Sequence, residues 1–133
     1  MQTKPTNKHL QLEKFSLHLK ADGILRVTYN KGVKIDLDTV YQIRKVGLSI
    51  VSDRKIYFLI DAGVANGVTK EAYEYLQQTE EWERVGGFAI LTYSLVARIM
   101  GNFSIKRYPV RFPKKLFDKE EAAVAWLKRL MET

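Results

Sequence analysis

The chain has 133 residues, no cysteine, 46% hydrophobic and 28% charged side chains, and a formal net charge of +7. That length fits one domain able to bury its own core, and the missing cysteines exclude disulfides, thiolate nucleophiles, zinc fingers and iron–sulfur ligation together. No run approaches the ~20 apolar residues of a membrane span, and Met1 to Lys8 lacks the apolar segment of a signal peptide, so a cytoplasmic protein is expected.

Residues 1–9 read as a flexible N-terminal tail ahead of a single domain over 10–133. Leu12, Phe15, Leu17 and Leu19 mostly alternate, which predicts a strand over Gln11 to Lys20. Ala21-Asp22-Gly23 is a tight turn, and Ile24, Leu25, Val27 and Tyr29 form a second strand that pairs with the first antiparallel. From Asp36 the period lengthens. Leu37, Val40, Ile43, Gly47 and Ile50 recur at helical spacing, with Asp36 or Asp38 as cap. Lys55 to Asp61 is a short apolar run rich in β-branched and aromatic residues, as in a central strand buried on both faces.

A loop over Ala62 to Val68 leads to Thr69, an N-cap, and to a helix with Ala72, Tyr75, Leu76 and Thr79 inward. Phe88 to Thr92 is the next strand. Ser94 caps a third helix whose buried face is expected to be Leu95, Ile99 and Phe103. Pro109 and Pro113 bracket Val110-Arg111-Phe112, which reads as a short edge strand. Asp118 opens a capping box closed by Glu121, and the last helix turns Ala122, Ala123, Trp126, Leu127 and Leu130 inward. The order ββαβαβαβα predicts an α/β domain with a four- or five-stranded mixed sheet and helices packed on it.

Charge is unevenly spread. Asp61, Glu71, Glu74, Glu80, Glu81 and Glu83 make the centre acidic between basic flanks. This is the pattern of solvated faces or of attraction between subunits rather than of a nucleic-acid groove, so no nucleic-acid partner is expected. Gly67-Val68-Thr69-Lys70 places Thr and Lys in the wrong order for a phosphate loop. His9 and His18 have no companions at metal spacing, so neither metal nor cofactor is expected. In an open sheet, ligands gather beyond the carboxyl ends of parallel strands. Asp61, Thr69, Ser94, Arg98 and Asn102 could meet there, although Thr69 and Ser94 have an ordinary structural role as helix caps.

Three segments carry a family likeness: Lys55 to Gln78, Ser94-Leu95-x-x-Arg98-Ile99-x-Gly101-Asn102-Phe103, and Phe117-Asp118-x-Glu120-Glu121-Ala122-x-x-x-Trp126-Leu127. With them the chain, over residues 10 to 131, resembles the SpoIIAA-like, STAS-related family in a branch common in Bacteroidetes. The resemblance implies a STAS-like fold, often homodimeric. It also implies a non-enzymatic regulatory or protein-interaction role, with a regulator or kinase as partner. The family's phosphoacceptor is a Ser or Thr directly after an Asp at the central strand's end. Here Ala62 follows Asp61, and Thr69 is the first hydroxyl and hence the phosphoacceptor candidate. The alternative is a protein that binds a small apolar molecule or lipid in a cavity between helices and sheet.

Overall fold

The computed structural model describes residues 8–63, 65 and 67–133. Two positions of the expected loop after Asp61, Val64 and Asn66, and tail residues 1–7 lie outside the described residues. Six strands form one mixed sheet in sequential order: β1 (Lys8–Gln11), β2 (Phe15–Leu19), β3 (Ile24–Tyr29), β4 (Ile56–Asp61), β5 (Val85–Leu91) and β6 (Lys114–Phe117). Pairing is antiparallel from β1 to β3 and parallel from β3 to β6. The helices are α1 (Leu37–Ile50), α2 (Lys70–Leu76), α3 (Leu95–Arg107) and α4 (Glu120–Met131), with a 3-10 turn over Thr79–Trp82.

The β2–β3 hairpin and the α/β alternation are as the sequence implies, with one strand more than expected. Lys8 and His9, expected in the tail, pair in β1 with Leu19 and His18, and the two imidazoles stack 5.1 Å apart. A wholly exposed strand has no hydrophobic alternation to reveal it. The expected first strand therefore splits, because Leu12 to Lys14 make the turn from β1 into β2.

Two other elements move. Phe112 is core, not edge strand, and pairing begins only at Lys114, past the proline that cannot donate to a ladder. The α4 N-cap is Lys119 without a side-chain bond, because Arg98 takes the Asp118 carboxylate at 2.9 Å. On α4, Ala123 and Leu127 are buried, Trp126 and Leu130 are half-buried, and Ala122 is exposed. Thr79 is likewise exposed, in the 3-10 turn rather than on α2.

The core has two layers. On one face α1 and α2 cover Leu17, Val27, Phe58, Ile60 and Phe88; on the other α4 covers Ile24, Leu59, Ala89 and Leu91. Leu116 of β6 pairs beside Ile90, which belongs to the α1–α2 face. It also packs against Gly101, so α3 lies on that face too, over the outermost strand. All three crossovers of the parallel strands therefore share one side, as a uniform hand requires.

The glycine pair expected to precede the fourth strand lies inside β5. A Cβ on Gly86 would come within 2.4 Å of the Tyr57 ring. Gly86→Ala is expected to cost about 1–3 kcal/mol in urea unfolding through overpacking. Phe58→Ala, at a 1% exposed position, is expected to cost about 3–5 kcal/mol.

Tyr29 is 4% exposed, and burial holds its phenol well above the ordinary 10.0. The neutral phenol's stabilisation is complete below pH 10.0 and is lost above it, as the unfolded chain ionises first. Unfolding scans of Tyr29→Phe should show a shallower alkaline decline than wild type.

Candidate functional site

The carboxyl ends of β4 and β5 lie side by side, Asp61 pairing with Leu91. Beyond them the chain forms a small closed arrangement. The Tyr93 hydroxyl donates to Asp61 Oδ2 at 3.3 Å, and the Gly63 N–H donates to Oδ1 at 3.1 Å. Gly63 lies under the Tyr93 ring so closely that a Cβ there would be 2.5 Å from Cδ2. Thr92, on the same turn, has its Oγ1 buried with no hydrogen-bond partner among the described residues. Desolvation, then the Asp61 charge and hydrogen bond, then Glu120, raise the Tyr93 phenol above its ordinary 10.0.

The five predicted residues separate into three places. Asp61 and Ser94 flank Tyr93 at the strand ends, where Ser94 Oγ accepts from the Ala97 N–H and caps α3. Arg98 and Asn102 lie one turn apart on α3. Arg98 is bound to Asp118 and Asn102 is exposed. Thr69 stands apart from these four: its Oγ1 accepts from the Ala72 N–H, and its own N–H donates to the Ile35 carbonyl. Among the described residues no hydrogen bond or ion pair joins Thr69 to the other four. Tyr93 was missed as a site residue. Its signal was its place, an aromatic side chain immediately past a parallel strand.

The largest departure from the sequence reading concerns α3. Leu95, Ile99 and Phe103, expected inward, are 65%, 60% and 68% exposed, and Val96 and Met100 beside them are 67% and 65% exposed. The reason is Gly101. A Cβ at that position would meet Leu116 Cδ1 at 2.9 Å, so α3 approaches the sheet through bare backbone. The large side chains then take the opposite face.

A groove of about 430 Å³, with Tyr57, Trp82, Phe112 and Leu130 among its lining residues, opens at the other end of the parallel strands. Among the described residues no group of three or more His, Cys, Asp or Glu could hold a metal ion, and no helix is long and apolar enough to cross a membrane. On β6, Lys114 Nζ lies 5.6 Å from the Tyr73 ring centroid, and Tyr73 stacks on Tyr108 at 4.7 Å. Loss of hydration there lowers the Lys114 ammonium from 10.5 to about 8.

Among solved structures, the chain is similar to an uncharacterized protein of the DUF3478 family with a SpoIIAA-like fold from Shewanella loihica PV-4, at 15% identity and TM-score 0.56, with 92% of each chain covered. It also matches an anti-sigma factor antagonist from Mycobacterium paratuberculosis at 16% identity and TM-score 0.49, over 96% of this chain and 99% of that one. A protein with unknown function from Arthrobacter sp. FB24 matches at 25% identity and TM-score 0.33, over 84% and 97% of the two chains. The fold is therefore SpoIIAA-like, as the sequence resemblance implied. Within that class the chain belongs to the family described as Domain of unknown function (DUF7793), which matches residues 17–131. No curated protein matches the chain.

Two titrations check the electrostatics. Asp61→Asn should lower the Tyr93 phenol pKa in an NMR pH titration, because it removes the second-largest cause of the rise. Between pH 8 and 10.5 the unfolded chain holds the Lys114 proton more tightly than the folded one, so stability should rise with pH. Urea midpoints of Lys114→Met should lose that rise.

Proposed function

We propose that the chain is a non-enzymatic, cytoplasmic regulatory domain of the STAS-like kind. It acts as a homodimer that binds a protein partner over the carboxyl ends of β4 and β5. One observation carries this reading. The strand ends, where open α/β sheets ordinarily hold a ligand, are filled by the protein's own Tyr93, hydrogen-bonded to Asp61 over Gly63. A filled switch point offers a contour rather than a cavity. Its exposed side chain, Tyr93 at 59% exposure, is of the aromatic type enriched where proteins bind proteins, and Arg98, of another enriched type, follows on the first turns of α3.

Affinity purification of the full chain from its own cells tests the proposal, quantified against Tyr93→Arg. A protein other than the chain itself should be recovered near stoichiometry with wild type and fall about tenfold or more with the variant, the loss typical of a central contact. Recovery of the chain alone, or equal recovery with both forms, overturns the proposal.

A further inference from the structure

The outward face of α3 is the largest departure of this surface from ordinary globular behaviour. Leu95, Val96, Ile99, Met100 and Phe103 fall at spacings of one, four, five and eight residues, which is a stripe about 140° wide on a helix. A stripe of that width normally faces a core. Here every member is 60% or more exposed, and together they form one contiguous apolar patch of several hundred Å², the size that marks interaction sites on monomers.

The charges around the stripe are ordered. Its C-terminal end carries Lys106 and Arg107, and its first turn has no acidic residue of its own. Carboxylates from other elements surround the N-terminal end. Asp118 is bound to Arg98 at 2.9 Å, Asp61 is bound by Tyr93 at 3.3 Å, and Glu120 lies 3.8 Å from Arg26. The helix is thus apolar along its length and basic at its C-terminal end, while the carboxylates near its N-terminal end are paired within the chain, Asp118 with Arg98 and Glu120 with Arg26.

We infer that the partner of this face is a second copy of the same chain, docked through α3 in antiparallel two-fold fashion. Centred on Ile99, such a pair lays each stripe on the other. It also brings Lys106 and Arg107 of each copy over the carboxylates around the other's α3 N-terminus. Two-fold pairing needs a self-complementary surface, and this charge order supplies one. The area fits as well, since a standard interface takes about 800 Å² from each partner and the stripe plus its charged rim approaches that. An anionic membrane suits the surface less well, because it would repel those carboxylates.

The inference deepens the homodimer within the proposed function and rests on it. The experiment separates the two. Sedimentation velocity from micromolar to millimolar concentration should show a dimer for wild type, and dissociation about 100-fold easier for Ile99→Glu with an unchanged circular dichroism spectrum. The chain has no cysteine, so Ile99→Cys should cross-link to a disulfide dimer under mild oxidation while Lys45→Cys, at an exposed position of α1, does not. This arm holds even where a glutamate at 99 compromises folding. A charge arm tests orientation: Lys106→Glu with Arg107→Glu should weaken the dimer and Glu120→Lys should partly restore it.

A wild-type dimer indifferent to Ile99→Glu, with no cross-link at 99, overturns this interface and leaves the homodimer standing. A wild-type monomer at every concentration overturns both. A monomer that co-sediments with phosphatidylserine vesicles assigns the stripe to a lipid surface and overturns the inference. Failure of Glu120→Lys to restore association overturns the antiparallel arrangement.

Discussion

A sheet whose central strands are parallel must be covered on both faces, since its backbone and side chains offer no polar side to water. In this chain β3, β4 and β5 meet that demand unequally. One face is sealed by α1 and α2, packed on each other and on the Phe58–Phe88–Trp82 cluster. The other is sealed by α4 alone, through Ala123 and Leu127. In the folded chain α1, α2 and α4 together cover both faces of the central strands, which leaves α3 only β6 to cap. Gly101 lets α3 lie close on Leu116, and that contact decides which way the helix turns. The apolar stripe is left on the side of the helix away from the sheet.

The same ordering explains what could be read from the sequence. The strand β4 and the helix α1 were legible because their burial is written in side chains: a continuous apolar run for one, Val40, Ile43 and Gly47 at helical spacing for the other. Helix α3 was legible as a helix and illegible as a surface. Its two opposite stripes, Leu95-Ile99-Phe103 and Gly101-Ser104-Ile105, both keep helical spacing. Hydrophobicity selects the first, whereas packing selected the second through the smallness of glycine. The strand β1 left no trace because a solvated strand, Lys8-His9-Leu10-Gln11, is specified by its partner rather than by its own pattern. The capping box at Asp118 failed for a related reason, since the ion pair with Arg98 of α3 competes for the carboxylate and is invisible locally.

The candidate site divides along the same line. Asp61 and Ser94 were placed correctly at the strand ends by topology alone, because the carboxyl ends of neighbouring parallel strands must be neighbours. Thr69 follows a longer loop, and the bridge from Val68 to Ile35 ties it to the β3–α1 connection instead. Whether a helix cap after a strand reaches the switch point depends on loop length, and residue type carries no information about that. Tyr93 shows the converse. Its role arises from Gly63, thirty positions earlier, whose missing side chain makes room for the ring.

The proposed dimer gives the exposed stripe an energetic reason. Burying one large aliphatic or aromatic side chain is worth about 1.5–3 kcal/mol, so five exposed ones leave a gain comparable with the whole net stability of an ordinary domain. Association itself costs an estimated 4–15 kcal/mol or more in lost freedom. Gain and cost are therefore of similar size, and the balance falls to the charged rim, whose contribution weakens with salt and with any change in its carboxylates. Glu120 links that rim to Arg26 in the sheet, and Asp61 links it to Tyr93 at the strand ends. On this reading the two surfaces are coupled through shared groups. A partner that displaces Tyr93 from Asp61 frees a carboxylate near the α3 N-terminus, and by linkage a change in the dimer alters the strand-end surface in return. A domain that works as proposed needs no catalytic group, because its response is the exchange of one set of contacts for another.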